Sequence, residues 1–307
     1  LAHHAKLKND GLNHRVTTTF RPDDITNPDG VGFAQNLKNL AELTGKDTSN
    51  WPDFLDAIRD RRAHFLAHGA TATDHGHPSP QTSNLDNASC QKLLDACLNG
   101  IAGSAQREAF RGQMLTEMAG MSREDGMVMQ IHPGSYRNHN GALFGRFGAD
   151  KGADIPVRVS YTEALQPMLS LHGNDPDLSV ILFTLDESNY TRELAPLAGH
   201  YPCLKLGPPW WFHDSLEGMI RYRRQVTETA GFYNCAGFND DTRALASIPA
   251  RHDLARRVDC RFLAELVGEN VIEENESFEL ITELTEGLVR SAYKLDIEQD
   301  THDITAE

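Results

Sequence analysis

The chain has 307 residues, 39% hydrophobic and 24% charged, enough for one large α/β barrel or two ordinary domains. Acidic residues outnumber basic ones 44 to 29, for a net charge of −15. That balance argues against nucleic-acid binding, though a few focused arginines can still serve an anionic substrate. No apolar run approaches the roughly 20 residues that span a bilayer, so no membrane partner is expected. The start, Leu1-Ala-His-His-Ala-Lys6, lacks the apolar core of a signal peptide. Five scattered cysteines without a C-x-x-C pair read as reduced thiols of a cytoplasmic protein. The chain opens without methionine in what reads as the middle of a helix, so an upstream segment is expected.

In chain order, the recurring unit is a short apolar strand, a polar loop and an amphipathic helix. The first strand is Arg15–Phe20, ending in Arg21-Pro-Asp-Asp24, and the helix after it carries Phe33, Leu37, Leu40 and Leu43 at helical spacing. Trp51-Pro52 punctuates before a helix with Phe54, Ile58 and Phe65. Gly69–Thr73 is the next strand, leading into a loop Asp74–Pro78. A helix with Phe110, Met114, Met118 and Met121 precedes the strand Met127–Ile131, which opens into His132-Pro-Gly-Ser135. Ser179–Leu185 is apolar almost throughout, as burial on both faces of a parallel sheet requires. Cys203–Leu206 and Cys235–Phe238 follow, then helices with Leu254, Val258, Phe262 and Leu266, and with Phe278, Ile281, Leu284 and Leu288. An acidic tail occupies 296–307. Strands alternating with helices imply a parallel sheet, and polar residues just after each strand are where a (β/α) barrel builds its site.

Several loops carry candidate chemistry. In Asn239-Asp-Asp-Thr-Arg243, carboxylates at a strand end can ligate a cation or move a proton; the same residue types also suit a helix N-cap. His132–Asn140 packs two histidines, an arginine and two asparagines into nine positions, with His132 placed as a metal ligand or acid/base. Arg21 offers a planar fork for a carboxylate, or a surface ion pair with Asp23 or Asp24. Of the aromatic pair, Trp210 reads as core, while Trp211 is open between core and a sugar-stacking platform. In His75-Gly-His77, the glycine and the following Pro78 argue for a loop and against metal chelation.

Together, Thr18-Thr-Phe-Arg-Pro-Asp23, Ala72-Thr-Asp-His-Gly76, Met129–Asn140, Gly148–Asp154, Leu206–Asp214 and Gly237–Arg243 with Pro249-Ala-Arg-His252 resemble the uronate isomerase family, in family order. The resemblance implies a (β/α)8 TIM-like barrel of amidohydrolase type, represented here by about six strands over residues 1–295, with the N-terminal strands absent. It implies interconversion of D-glucuronate with D-fructuronate, and of D-galacturonate with D-tagaturonate, by proton transfer between C2 and C1 through an enediol. It also implies zinc as the divalent metal, with Asp241 and His132 as ligands. Asp241, Arg243 and His132 are the expected catalytic residues, with Arg21, Arg137 and Trp211 binding the hexuronate. The family's first-strand His-x-His has no counterpart in this chain. A homo-oligomer is expected. A metal-dependent hydrolase on the same barrel, or a silent fragment that binds sugar acids, are the alternative readings.

Overall fold

A computed structural model describes residues 1–12, 16–241 and 244–295. Its centre is a parallel sheet of β1 (Thr19–Phe20), β2 (Ala72–His75), β3 (Val128–Ile131), β6 (Val180–Leu182) and β7 (Leu204–Leu206). The spatial order β1-β2-β3-β6-β7 follows the sequence without reversal. Two short strands, β4 (Ser135–Tyr136) and β5 (Ile155–Pro156), form a separate antiparallel pair above the end of β3. Each step along the sheet is made through helices, as a parallel crossover demands. Phe33–Thr44 and Trp51–Leu66 join β1 to β2, and Asn87–Leu98 and Ser104–Asp125 join β2 to β3.

Local chemistry sets these helices. Asn50 caps Trp51–Leu66 by accepting from the Asp53 amide at 3.2 Å, which leaves Pro52 in the first turn where it needs no amide partner. Gly126 ends Ser104–Asp125 at φ +78°. Along that helix Phe110, Met114, Met118 and Met121 are all buried, as their spacing predicts. Leu43 and Phe278, placed on apolar stripes by the sequence, are instead 63% and 65% exposed.

The sheet separates two apolar layers by the two-residue alternation of a strand. Phe20, Met129, Ile131, Val180, Leu182, Leu204 and Leu206 face the helices. Ala72, Val128, Ile181 and Phe183 face the opposite side, where they meet Trp210, Ala236 and Ala292.

Two strand expectations are corrected, and one strand pair is unforeseen. β2 runs on through Asp74 and His75, which the sequence places in a loop, because Asp74 pairs with Gln130 and His75 with Ile131. The strand expected at Cys235–Phe238 is a single parallel bridge, Leu206 to Cys235. Gly237 breaks it: φ is +74°, and a Cβ there would strike the Val289 side chain. The antiparallel β4–β5 pair has no counterpart among the strands expected from the sequence. Of the first expected strand, Arg15 lies outside the described residues, as do Thr242, Arg243 and the 296–307 tail. Among the described residues no helix is long and apolar enough to cross a membrane.

Candidate active site

The inner face of β2 and β3 carries Asp74 and Gln130 one alternation beyond Ala72 and Val128, so both side chains emerge where the apolar layer ends. They line a cavity of about 930 Å³ at the C-terminal ends of the strands. Arg21 reaches it from the end of β1, His132 from the end of β3, and Phe183 from the end of β6. Trp210 and Trp211 follow β7, and Asn239, Asp240 and Asp241 follow the Cys235 bridge. Arg137 and Asp154 enter from the β4–β5 pair and its connection. Five of the six residues singled out by the sequence (Arg21, His132, Arg137, Trp211 and Asp241) therefore share one cavity; Arg243 is outside the described residues.

Asp74 organises the first half of the site. Its Oδ1 lies 2.6 Å from His132 Nδ1 and its Oδ2 lies 3.1 Å from Arg21 Nε. Burial works against its charge, but the His132 hydrogen bond and the neighbouring Arg21 outweigh that and hold its carboxyl down to about 2. An ionised Asp74 can only accept, so His132 donates to it from Nδ1. The imidazole is clamped: it stacks on Phe183 at 3.9 Å between centroids and meets the Trp210 edge at 4.8 Å.

Trp210 also reaches the second half of the site, donating from Nε1 to Asp241 Oδ2 at 3.1 Å. Trp210 is buried, as its core reading requires, while Trp211 is 37% exposed at the mouth. Trp211 holds φ at +55°, an uncommon conformation for a bulky residue, and the Arg137 guanidinium lies 5.7 Å over its ring. Arg137 is itself tied to Asp154 at 2.9 Å. Arg251, from the helix Ile248–Gly268, ion-pairs with Asp214 and faces Asp240 at 3.8 Å. Burial pushes the Asp214 carboxyl up, against the opposing pull of Arg251.

Sequence reasoning misses Asp74, which it places in a loop, and Asp214 and Arg251, although all three lie within motifs that carry the family resemblance, while Asp240 belongs to the carboxylate loop it singles out. Asn239, Asp240 and Asp241 cap no helix: the next helical turn, Leu245–Ser247, follows Ala244, and the helix Ile248–Gly268 follows Ser247. Arg21 has both its alternatives at once, pairing with Asp23 at 3.5 Å while lining the cavity. His75 and His77 are buried in the helix-facing layer, bonded through Nε2 to Thr73 at 2.9 Å and to Thr26 at 3.0 Å. Neither points into the cavity lining.

The expected metal ligands do not make a metal site on their own. His132 spends Nδ1 on Asp74 and Asp241 spends Oδ2 on Trp210. Among the described residues no three His, Cys, Asp or Glu side chains are arranged to hold an ion.

The glucuronate isomerase profile matches residues 1–292. The chain belongs to the glucuronate isomerase family. A uronate isomerase of Rhizorhabdus wittichii is 60% identical over 295 residues, 96% of this chain and 63% of that protein. The crystal structure of glucuronate isomerase from Caulobacter crescentus superposes with a TM-score of 0.95 at 54% identity, covering 98% of this chain and 63% of that one. The uronate isomerase structure from Thermotoga maritima gives a TM-score of 0.89 at 27% identity, covering 95% of this chain and 64% of that chain. The α/β fold with its parallel sheet is thus that of the uronate isomerases, and the chain spans just under two thirds of the length of these relatives.

Proposed function

We propose that the cavity holds an open-chain hexuronate and that its residues carry an aldose–ketose isomerisation, D-glucuronate to D-fructuronate and D-galacturonate to D-tagaturonate. The observation that carries this reading is the Asp74–His132 pair, at 2.6 Å, opening on a cavity that also presents Arg21 and Arg137. Isomerisation requires a base to take the C2 proton and return it to C1. His132 Nε2 is that base: Asp74 holds the other nitrogen protonated and offsets the positive charge that His132 gains. Arg21 and Arg137 bind the carboxylate or the oxygen on which charge develops, a role suited to guanidinium forks. Trp211 stacks beside the sugar carbons, and Phe183 with Trp210 excludes water from the imidazole. Asp241, aligned by Trp210, stands on the opposite wall and serves proton transfer between the substrate oxygens, a role that the family resemblance shares with Arg243, outside the described residues. The family likeness supports a zinc ion in the whole enzyme, although the described residues do not form its ligand set.

The unreversed parallel order also supports a closed (β/α) barrel, with residues 1–295 supplying about six of its strands. The four buried free thiols Cys90, Cys97, Cys203 and Cys235 support a cytoplasmic protein. Exposed Phe144 and Phe147, with the open sheet edges, support self-association into a homo-oligomer. Incubation of the chain with D-glucuronate and D-galacturonate, in parallel with sugar lactones, esters and amides, tests the reaction class. Ketouronate formation by the wild type, and its loss in His132→Gln, are expected. Hydrolysis of the second set with no ketouronate from the first overturns the reading.

A further inference from the structure

The wall that follows the Cys235 bridge carries two acceptor oxygens that nothing among the described residues satisfies. Asp240 Oδ2 and Asn239 Oδ1 are both buried and without a hydrogen-bond partner. The Asp240 side chain is only 5% exposed. Its other oxygen faces Arg251 Nε at 3.8 Å, near enough for charge attraction and too far for a hydrogen bond. Arg251 is engaged elsewhere, with the Asp214 carboxylate and, at 3.1 Å, with the Asp214 carbonyl. Buried acceptors in folded proteins are nearly always paired, so two adjacent ones left open in a cavity wall call for donors from whatever enters it.

The chemistry of those donors follows from the charges around them. Among the described residues this wall presents Asp214, Asp240 and Asp241 with Arg251 as its cation, and Arg251 is already held by Asp214, so the described charge does not favour a carboxylate there. The cations Arg21 and Arg137 come from other segments, β1 and the β4–β5 connection. A neutral hydroxyl suits an Asp–Asn acceptor pair, and a sugar acid carries one anionic end followed by a run of hydroxyls. Consecutive residues, each with an open acceptor on one cavity, can receive two hydroxyls of one carbon chain.

We propose that Asn239 and Asp240 are the hydroxyl-reading pair of the cavity: they accept hydrogen bonds from neighbouring hydroxyls of the bound sugar acid and so select its stereochemistry. This inference rests on the hexuronate reading of the same cavity. A site built to receive a hydroxyl rejects ligands that lack it, because its buried acceptors are then left unpaired.

The test is calorimetric titration of the 307-residue chain, and of Asp240→Ala and Asn239→Ala, with D-glucuronate, D-galacturonate and analogues lacking one chain hydroxyl at a time. In the wild type, removing one or both of two neighbouring hydroxyls weakens binding about tenfold or more, and in Asp240→Ala the same removal costs less than about twofold. Equal penalties in wild type and variants, or a wild type indifferent to every hydroxyl, overturn the inference while leaving the hexuronate reading intact. A wild type that binds neither sugar acid overturns both. Should circular dichroism show Asp240→Ala unfolded, the wild-type series together with Asn239→Ala decides the question equally well.

Discussion

The ring of Phe183 lies face to face with the imidazole of His132, 3.9 Å between centroids and 19° between planes. Nothing polar fixes that ring; it is held by Gly207, at which a Cβ would come within 2.5 Å of the Phe183 ring carbons. Gly207→Ala therefore pushes Phe183 against His132. A stability loss of about 1–3 kcal/mol is expected from such overpacking, measured by denaturant titration. A fully stable variant would show that the ring has room to move.

Asp74→Asn keeps the size of the side chain and removes the charge that orients His132. The amide donates where the carboxylate accepts, so the imidazole presents the wrong nitrogen to the cavity. Ketouronate formation by an active enzyme carrying this change is expected to fall at least about 100-fold, the lower range of general acid–base contributions. Turnover within about threefold of wild type would remove Asp74 from the proton-transfer machinery.

Arg223 and Asp259 form a buried bidentate pair, 2.6 and 3.0 Å, between the helices Leu216–Ala230 and Ile248–Gly268. Each side chain is nearly inaccessible. Asp259→Ala strands a buried guanidinium and is expected to cost about 3–5 kcal/mol, while replacing both partners by apolar residues of similar volume recovers most of that. Thermal melts of the single and double variants distinguish the pair from a surface bridge, for which both would differ little from wild type.

His77 couples folding to acid. Burial, helped by the positive charge of Arg111, depresses its pKa to about 3. The unfolded chain takes up a proton there near pH 6.5 and the folded chain does not, so stability is full above about pH 6.5 and drains away as pH falls toward 3. His75, also fully buried, adds in the same direction. His77→Gln is expected to flatten the dependence of melting temperature on pH between about 6.5 and 4. Wild type and variant with parallel slopes would refute the assignment.

How much of the fold and site is legible in the sequence depends on where the signal lies. Val180–Leu182 is plain because a strand buried on both faces must be apolar at every position, and all three residues are buried. Arg21, His132 and Asp241 can be placed at a common rim because each closely follows a segment that reads as a strand, although the one before Asp241 is only a bridge in the structure. Asp74 is hidden for the converse reason: its strand ends in polar residues, and only pairing with Gln130 shows that Asp74 belongs to the sheet. Arg251 is invisible to the strand-end rule, since it arrives from the first turns of a helix. Gly237 looks like any strand glycine until its positive φ and the close approach of Val289 are seen.

The sheet has two free margins, Thr19–Phe20 at one side and the Cys235 bridge at the other, and no described strand covers either. Backbone groups along such margins can recruit another segment edge to edge without breaking a bond already made. The pocket sits between these margins, so any strand docking at either one would bring its own loop to the same mouth and add residues to a rim that this chain already furnishes from eight places.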